Sequence, residues 1–401
     1  FDTIRRYFEY CGYTVNYISN FTDVDDKIIK AANEAGISTK ELSDKFIAAF
    51  MEDTAQLGIK PATQNPRVIN YMDEIIAFVS TLVDKGFAYV SEGDVYFRVA
   101  KSNNYAKLAN KTLEDLEIGA SGRTDAETER KENPLDFALW KAAKEGEVSW
   151  DSPWGPGRPG WHIECSVMAT EILGDTIDIH GGGADLEFPH HTNEIAQSEA
   201  KTGKTFANYW MHNGFVNVDN EKMSKSLGNF VTVHDMLKTV DGQVLRFFLA
   251  TQQYRKPINF TEKAIHDAEV NLKYLKNTHS LPLTDQVNQD ELQTYLEAFQ
   301  TAMDDDFNTA NGVTVLFDMA KWINSGNYDQ TVKDVFEKML QVFGIVFEEE
   351  VLDEDIEKLI EERQAARANK DFATADRIRD ELAAQGIKLL DTKDGVRWTR
   401  D

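Results

Sequence analysis

Trp161-His-Ile-Glu-Cys165 and Thr176-Ile-Asp-Ile-His180 begin the stretch of sequence that decides the fold. The first opens a run with helical periodicity, and the second has the composition of a strand. From there the predicted elements alternate: a helix over 162–173, a strand over 176–180, a helix over 189–201 and a strand over 208–218. Such alternation of helices and strands is typical of a parallel α/β sheet.

The first hundred residues follow a similar rhythm. Ile4, Phe8 and Cys11 lie on one helical stripe that stops at Gly12, and the segment 13–19 has the composition of a strand. Ser38 and Glu41 form a capping box, which predicts the start of another helix. The elements expected in this part are helices over 1–11, 23–35, 38–57 and 67–86, and a hairpin over 87–99.

The remainder of the chain divides into an irregular part and a helical part. Residues 100–150 are polar and irregular, which indicates an inserted subdomain, and residues 348–358 have the character of a linker. Apolar residues recur at helical spacing elsewhere. The helices predicted from this spacing cover 262–278, 290–304, 309–324, 330–343, 354–369 and 371–385.

The composition limits the classes of function. The chain has a net charge of −25 and only two cysteines, Cys11 and Cys165. Two cysteines do not make a disulfide framework, which fits a reducing compartment, and we expect the cytoplasm. The sequence has no run of 18 apolar residues, so no membrane span is expected. The acidic charge opposes nucleic-acid binding but still permits a local basic face.

Cys165, His190 and Glu194 form the strongest chemical motif. Pro189 suits the first turn of a helix, so His190 and Glu194 are expected at positions i and i+4 on one helical face. An imidazole nitrogen, a carboxylate oxygen and the soft thiolate of Cys165 make a suitable zinc set. The alternative is two core histidines and a buried cysteine, and the spacing alone does not decide between these interpretations.

Lys222-Met-Ser-Lys-Ser226 and His180-Gly-Gly-Gly-Ala-Asp185 are two further motifs. The first combines two lysines with serine hydroxyls, which can close over a triphosphate and neutralise the charge of departing pyrophosphate. Its alternative is an exposed basic turn. The glycine run lets a ligand approach the backbone closely, although a plain turn would have the same sequence.

Together these motifs resemble one protein family. Lys222–Ser226 matches the second signature of class I aminoacyl-tRNA synthetases. Gly160–Cys165, Asp178–Leu186 and Phe188–His191 look like the cysteine-specific family. The resemblance extends over the whole chain and is highly specific in its joint motifs.

The resemblance implies a fold and a domain order. The fold is α/β, with a Rossmann-like catalytic domain that carries an inserted subdomain and is followed by a helical bundle and a small anticodon-binding domain. The implied order is a first catalytic part at 1–70, a connective subdomain at 71–155, a second catalytic part with the zinc site at 156–205, a stem-contact region with the lysine loop at 206–261, the helical bundle at 262–347 and the anticodon-binding tail at 348–401.

The resemblance also implies a ligand set for zinc. In the family, two cysteines, a histidine and a glutamate hold the ion, and Cys165, His190 and Glu194 match three of these positions. The remaining cysteine, the first strand and the first class I signature would belong to a segment before Phe1 that this sequence does not contain. Whether the chain as given is active therefore stays open. Thr192 departs from the glutamate usual in the family, at a position that is not a ligand.

The implied reaction is the ATP-dependent ligation of L-cysteine to its tRNA through a cysteinyl-adenylate, with Mg²⁺ accompanying ATP. One zinc ion per chain would separate cysteine from serine, because zinc binds a thiolate far better than an alcohol. We expect a monomer. The implied roles are catalysis by Lys222 and Lys225, ATP binding by Lys225, Gly181 and Gly182, and cysteine binding by Thr22, Trp161 and Asp185.

The C-terminal tail contains candidate anticodon contacts. Arg367, Asp376 and Asp391 match positions of the family that face anticodon bases. Arginine can pair with guanine, and aspartate can accept from the amino group of cytosine. The alternative is salt bridging on a solvated helix.

Two other functions stay open at this point. The first is an inactive remnant that binds tRNA and has lost the ATP chemistry. The second is a related cysteine ligase that passes activated cysteine to a small amine. This second enzyme should lack the anticodon-like tail at 354–401.

Overall fold

The computed structural model of the chain describes residues 1–120, 128–348, 354–393 and 395–400. The chain divides into two structural units, Phe1–Val346 and Phe347–Asp401. No helix among the described residues is long and apolar enough to span a membrane.

Three helices begin the first unit: α1 (Asp2–Tyr10), α2 (Asp26–Ala35) and α3 (Thr39–Gln56). The predicted cap of α3 is confirmed, because the Ser38 hydroxyl accepts a hydrogen bond from the Glu41 amide at 3.1 Å. The predicted strand over 13–19 is wrong. That segment is extended, but within the described chain it makes only an isolated bridge from Ile18 to Gln64. A segment without a continuous partner strand cannot form a ladder.

An antiparallel sheet follows these helices. Its elements are α4 (Met72–Asp84), β1 (Ala88–Ser91), β2 (Asp94–Phe97), α5 (Leu113–Ala120), β3 (Phe137–Ala142) and β4 (Gly157–Pro159). The strands pair in the order β1-β2-β3-β4. The hairpin of β1 and β2 is confirmed, whereas β3 lies in the part predicted to be irregular. Phe97, Leu139 and Trp140 are fully buried. They pack this sheet into a core that it shares with α4 and with the helix that follows β4.

The α/β part consists of α6 (Trp161–Leu173), β5 (Ile177–Gly183), α7 (Thr192–Thr202) and β6 (Ala207–Asn213). The pairing of β5 with β6 is parallel, which confirms the expected architecture. Two details of the prediction are wrong. The glycine run belongs to β5 and does not follow it, and α7 begins at Thr192, after the segment Glu187–His191, which is kinked at Phe188 (φ −140°, ψ 130°).

A small sheet and two helices come next: β7 (Val216–Val218), β8 (Glu221–Lys222), α8 (Val233–Met236), α9 (Gly242–Ala250) and β9 (Ile258–Phe260). The strand predicted over 208–218 is therefore two strands, separated at Gly214. A Cβ at Gly214 would lie 2.6 Å from the Lys256 carbonyl, so only glycine permits this close approach of two backbones. The bend redirects the chain into β7 and the lysine loop.

Four helices complete the first unit: α10 (Glu262–His279), α11 (Gln289–Asp304), α12 (Thr309–Asn324) and α13 (Gln330–Val342). All four agree with the prediction to within one or two residues. Leu275, Phe299 and Phe336 are fully buried in their core. The buried Arg246 of α9 ties this bundle to the start of the chain, since it lies 2.7 Å from the Asp2 carboxylate and donates to the Phe343 carbonyl at 2.9 Å.

The second unit contains α14 (Glu354–Ala368), α15 (Phe372–Ala384), β10 (Ile387–Thr392) and β11 (Gly395–Arg400). Both helices were predicted. Ile356, Ile378 and Ile387 form its buried core. Residues 349–353 of the predicted linker lie outside the described residues, and the remainder of that segment from Glu354 onward is helix α14.

Candidate metal and substrate site

Helices α6 and α7 lie side by side and carry the candidate site. The Ser166 hydroxyl of α6 donates to the Glu194 carbonyl of α7 at 3.2 Å and accepts from the Gln197 amide at 2.9 Å. These groups are fully buried, so the two helices are fixed against each other. As a result, one ligand atom each from Cys165, His190 and Glu194 lies within 4.8 Å of the other two. The structure therefore brings the predicted metal trio together.

The Glu194 carboxylate is the centre of this group. Its Oε2 is 2.7 Å from His180 Nε2, and its Oε1 is 2.9 Å from His190 Nε2 but makes no hydrogen bond within the described chain. Burial alone would raise the pKa of Glu194, but the neighbouring His180 and His190 outweigh it and hold the pKa below its ordinary range. Glu194 is thus an ionised carboxylate with one oxygen still free to bind a cation.

Cys165 faces the same point from α6. Burial raises the pKa of its thiol well above the ordinary value, and the carboxylates of Glu194 and Glu164 raise it further. A thiolate at this position therefore requires a nearby positive charge, which a bound zinc ion would supply. Asn20 also contacts the sulfur, with its side-chain nitrogen 3.7 Å from Cys165 Sγ. The orphaned oxygen of Glu194 and the soft sulfur together fit a zinc ion.

His180, His191 and Glu194 form a second group of donors at similar spacing. This group has no sulfur, and His180 already makes a 2.7 Å hydrogen bond with Glu194. Carboxylates that bind metals are commonly oriented by such partners. His180 is therefore placed to orient Glu194, and of the two groups it is the one with Cys165 that includes a sulfur donor.

Five of the eight histidines of the chain surround the site: His162, His180, His190, His191 and His212. Ring nitrogens of His162 and His190 are 2.9 Å apart, and those of His191 and His212 are 2.8 Å apart. Burial lowers the pKa of His162 and of His191 to about 3, so both rings are neutral near pH 7. Sequence reasoning missed this network, although the crowding of histidines within 162–212 is a signal that could have indicated it.

Of the predicted cysteine-binding residues, Trp161 contacts the trio of Cys165, His190 and Glu194 through the His190 ring, and cysteine binding stays a prediction for all three. Trp161 is 47% exposed and therefore is not a core residue, and its ring stacks on His190 with centroids 4.3 Å apart. Thr22 lines a neighbouring groove between α2 and α3, and it is Asn20, two residues earlier, that contacts Cys165. Asp185 follows β5 in a 3₁₀ turn and folds back over Gly183.

The glycines predicted to bind ATP have visible packing roles. A side chain at Gly181 would collide with the ring of Phe1, and one at Gly182 would lie 3.0 Å from the His191 ring. Gly182 therefore allows the histidine network to approach β5 closely. Contact of these glycines with a nucleotide stays a prediction.

The lysine loop connects β8 to α8 and is exposed. Lys222 Nζ lies 4.8 Å from the centre of the Phe215 ring, and Lys225 Nζ lies 5.4 Å from the Phe230 ring. The Asn229 side chain fixes the loop by accepting from the Ser224 amide at 2.9 Å. Among the described residues, both lysines have cation–π contacts of modest strength and no ion pair, so their side chains can move.

The predicted anticodon residues are already paired in the second unit. Arg363 donates to both carboxylate oxygens of Asp391 at 2.9 and 3.0 Å, and Arg367 lies 2.5 Å from the same carboxylate. Asp376 lies 3.2 Å from Arg379. The hydrogen bonds from Arg363 lower the pKa of Asp391. Salt bridging, the alternative interpretation, is therefore present, and the anticodon role stays a prediction.

Three family models match consecutive parts of the chain. The model described as the class I (C) tRNA synthetase catalytic domain matches residues 1–270. The DALR domain matches residues 298–348, and the cysteinyl-tRNA ligase anticodon binding domain matches residues 349–398. The first of these covers more than half of the chain.

Solved structures with a similar fold include methionyl-tRNA synthetase from Mycobacterium tuberculosis in complex with methionyl-adenylate. One structure of that enzyme aligns with a TM-score of 0.60 at 14% identity, over 85% of this chain and 84% of the other. A second has a TM-score of 0.53 at the same identity and coverage. At this level of identity, the likeness concerns the fold alone.

The sequence relatives are much more similar. The cysteine--tRNA ligase of Streptococcus thermophilus strain CNRZ 1066 is 94% identical over all 401 residues of this chain, which span 90% of that protein. The enzyme of Streptococcus agalactiae serotype V is 82% identical over the same coverage. The chain therefore belongs to the cysteine--tRNA ligase family, the class I synthetases that join cysteine to its tRNA.

Proposed function

We propose that the chain activates L-cysteine with ATP as a cysteinyl-adenylate before transfer to tRNA, and that a single zinc ion recognises the cysteine thiol. The observation that carries this proposal is the convergence of Cys165, His190 and Glu194 within 4.8 Å. Zinc bound there would accept the substrate thiol as a thiolate, a bond that the hydroxyl of serine does not match. The histidine network supports the ligands by orienting His190 and Glu194.

Residues around the metal group would hold the rest of the substrate. Trp161 covers His190 from the solvent side and can close over the cysteine side chain. Asp185 offers a carboxylate to the substrate ammonium group, and Thr22 lies in the chain segment that contacts Cys165 through Asn20. None of these groups attacks the substrate. Their role is to orient the carboxylate of cysteine towards the α-phosphate of ATP.

The lysine loop would supply the charge stabilisation. ATP arrives with Mg²⁺, and pyrophosphate leaves with additional negative charge on its oxygens. Lys225, assisted by Lys222, can leave its aromatic neighbour and neutralise that charge. Gly181 and Gly182 would let the adenosine part lie against the backbone of β5. Catalysis in this scheme consists of positioning and electrostatics, without a covalent enzyme intermediate.

The second unit would read the anticodon. The match of residues 349–398 to an anticodon binding domain supports this and argues against a ligase that acts on a small amine. Arg367, Asp376 and Asp391 are exposed or half-exposed and carry groups that can pair with bases. Exposed ion pairs are weak, so Arg367 and Asp376 can exchange their present partners for RNA, whereas Asp391 stays held by its bidentate pair with the buried Arg363.

The exchange of labelled pyrophosphate into ATP tests this proposal. The protein expressed from its complete gene should catalyse exchange with cysteine and without tRNA. We expect a preference for cysteine over serine of more than about 10,000-fold in kcat/KM, because an apolar pocket would separate such similar molecules only about 100-fold. Exchange that occurs only with tRNA, or a preference near that lower value, would contradict the proposal.

A further inference from the structure

A cavity of about 330 Å³ lies on one face of α7. This face is turned away from the metal group, the trio of Cys165, His190 and Glu194. Thr192, Ile195 and Glu199 of α7 line it on one side, and the turn over 101–108 closes it on the other. Because Glu194 projects from the opposite face, the cavity and the metal group are separated by about one helix diameter, roughly 10 Å. The activity of the family does not by itself assign a role to this cavity.

The sequence around the cavity is basic, in contrast to the rest of the chain. The chain has 68 acidic residues, yet residues 98–111 include four basic residues and none that is acidic. Lys101, Lys107 and Lys204 all line the cavity. Of the described lining residues only Glu199 is acidic, and it is 3.0 Å from Lys107 Nζ and also accepts from the Phe206 amide at 3.1 Å. The cavity therefore favours an anion.

The backbone of the turn provides a second, independent indication of an anion. Asn104 and Ala106 have φ angles of 54° and 64°, in the left-handed region, on either side of Tyr105. Successive residues that alternate between left-handed and right-handed backbone conformations direct their amides to one side. Together these amides form an anion-binding concavity. The amides of Asn103 to Ala106 have no hydrogen-bond acceptor within the described residues, although Tyr105 and Ala106 are buried. Amides without an acceptor in the chain can donate to a ligand that enters the cavity.

The lysines are available to such a ligand. Lys101 makes no ion pair with a carboxylate in the part of the chain that the structure describes. Lys204 pairs at 2.9 Å with Asp175, and both side chains are largely exposed. Exposed pairs of this kind contribute little free energy and are readily exchanged for a phosphate. Tyr105 also connects the turn to α7, because its hydroxyl donates to the side chain of Asn193, the neighbour of Glu194.

We propose that this cavity binds a backbone phosphate of the acceptor end of tRNA, through the amides of Asn103–Ala106 and the side chains of Lys101, Lys107 and Lys204. In this proposal, which rests on the proposed function, the terminal ribose of tRNA would lie at the substrate site on one face of α7, and the phosphates of the preceding nucleotides would pass to the cavity on the other face. The contact is independent of base sequence and sets the position of the acceptor end relative to α7.

The test is the triple variant Lys101→Gln/Lys107→Gln/Lys204→Gln, measured in the protein from its complete gene. We expect the KM for tRNA in cysteinylation to rise about tenfold or more, while pyrophosphate exchange without tRNA changes less than about twofold. The slope of log KM against log salt concentration should fall by about 0.7 to 0.9, which is the contribution of one neutralised phosphate. Lys321→Gln, which removes an exposed lysine of α12, serves as the control and should change neither value.

Lysine acetylation provides a second measurement that needs no substitution. Bound tRNA should protect Lys101 and Lys204 from acetylation, and inorganic phosphate at the same concentration should not. An unchanged KM and salt dependence in the triple variant would overturn the proposal, as would an equal loss of exchange and cysteinylation. Protection by phosphate without protection by tRNA would also overturn it.

Discussion

Replacing Cys165 with serine should reduce kcat/KM for cysteine in pyrophosphate exchange by more than about 100-fold. Loss of a residue that only supports a metal ligand costs about 10- to 100-fold in metal affinity or activity, so the loss of a ligand itself should exceed that range. The change exchanges one atom and leaves no cavity. The bound zinc should therefore decrease from one ion per chain, while the melting temperature without metal stays the same.

Cys11 provides the matched control. It is the other cysteine of the chain, it is exposed, and it follows α1 well outside the donor group. Cys11→Ser should retain full zinc content and activity. If Cys165→Ser kept its zinc and its preference for cysteine, or if both variants lost them equally, the assignment of Cys165 as a metal ligand would be wrong.

Replacing Lys225 with alanine should lower kcat of the exchange reaction by about 100- to 1,000-fold, which is the cost of removing one group that stabilises charge in a transition state. The KM for cysteine should change little, because Lys225 lies in the lysine loop and not among the residues around the metal group. Lys222→Ala should have a smaller effect. Single-turnover formation of the adenylate with saturating ATP measures this directly.

Lys238 is the appropriate control for this substitution. It lies just after α8 in the same part of the chain, is 63% exposed and pairs with Asp235 at 2.8 Å. Lys238→Ala should retain the exchange rate within about twofold, since exposed pairs contribute little. A normal rate in Lys225→Ala, or the same loss in both variants, would exclude the proposed role of the lysine loop.

The helical parts of the fold could be predicted because their signals are local. The cap at Ser38 and the apolar spacing of α10 to α13 are complete within one element. Strands depend on distant partners, and here the prediction failed. The segment 13–19 has strand composition without a continuous partner among the described residues, and β3 lies within a polar stretch and pairs with β2 some 40 residues earlier.

The same distinction applies to the site. Cys165, His190 and Glu194 could be predicted because their chemistry is rare and because His190 and Glu194 are only four residues apart in the sequence. The contacts of Asn20 with Cys165 and of His212 with His191 join distant parts of the chain. The anion-binding concavity of backbone amides at 103–106 also could not be predicted. It depends on two residues in the left-handed region of φ, and neither of them is glycine.

Substitution of Co²⁺ for zinc permits the most direct measurement of the central claim, that the metal held by Cys165, His190 and Glu194 binds the thiol of the substrate. The near-ultraviolet absorption that arises from thiolate bonds to cobalt should increase when L-cysteine is added, and it should not change with L-serine. An unchanged spectrum with cysteine, or an equal change with both amino acids, would contradict the account.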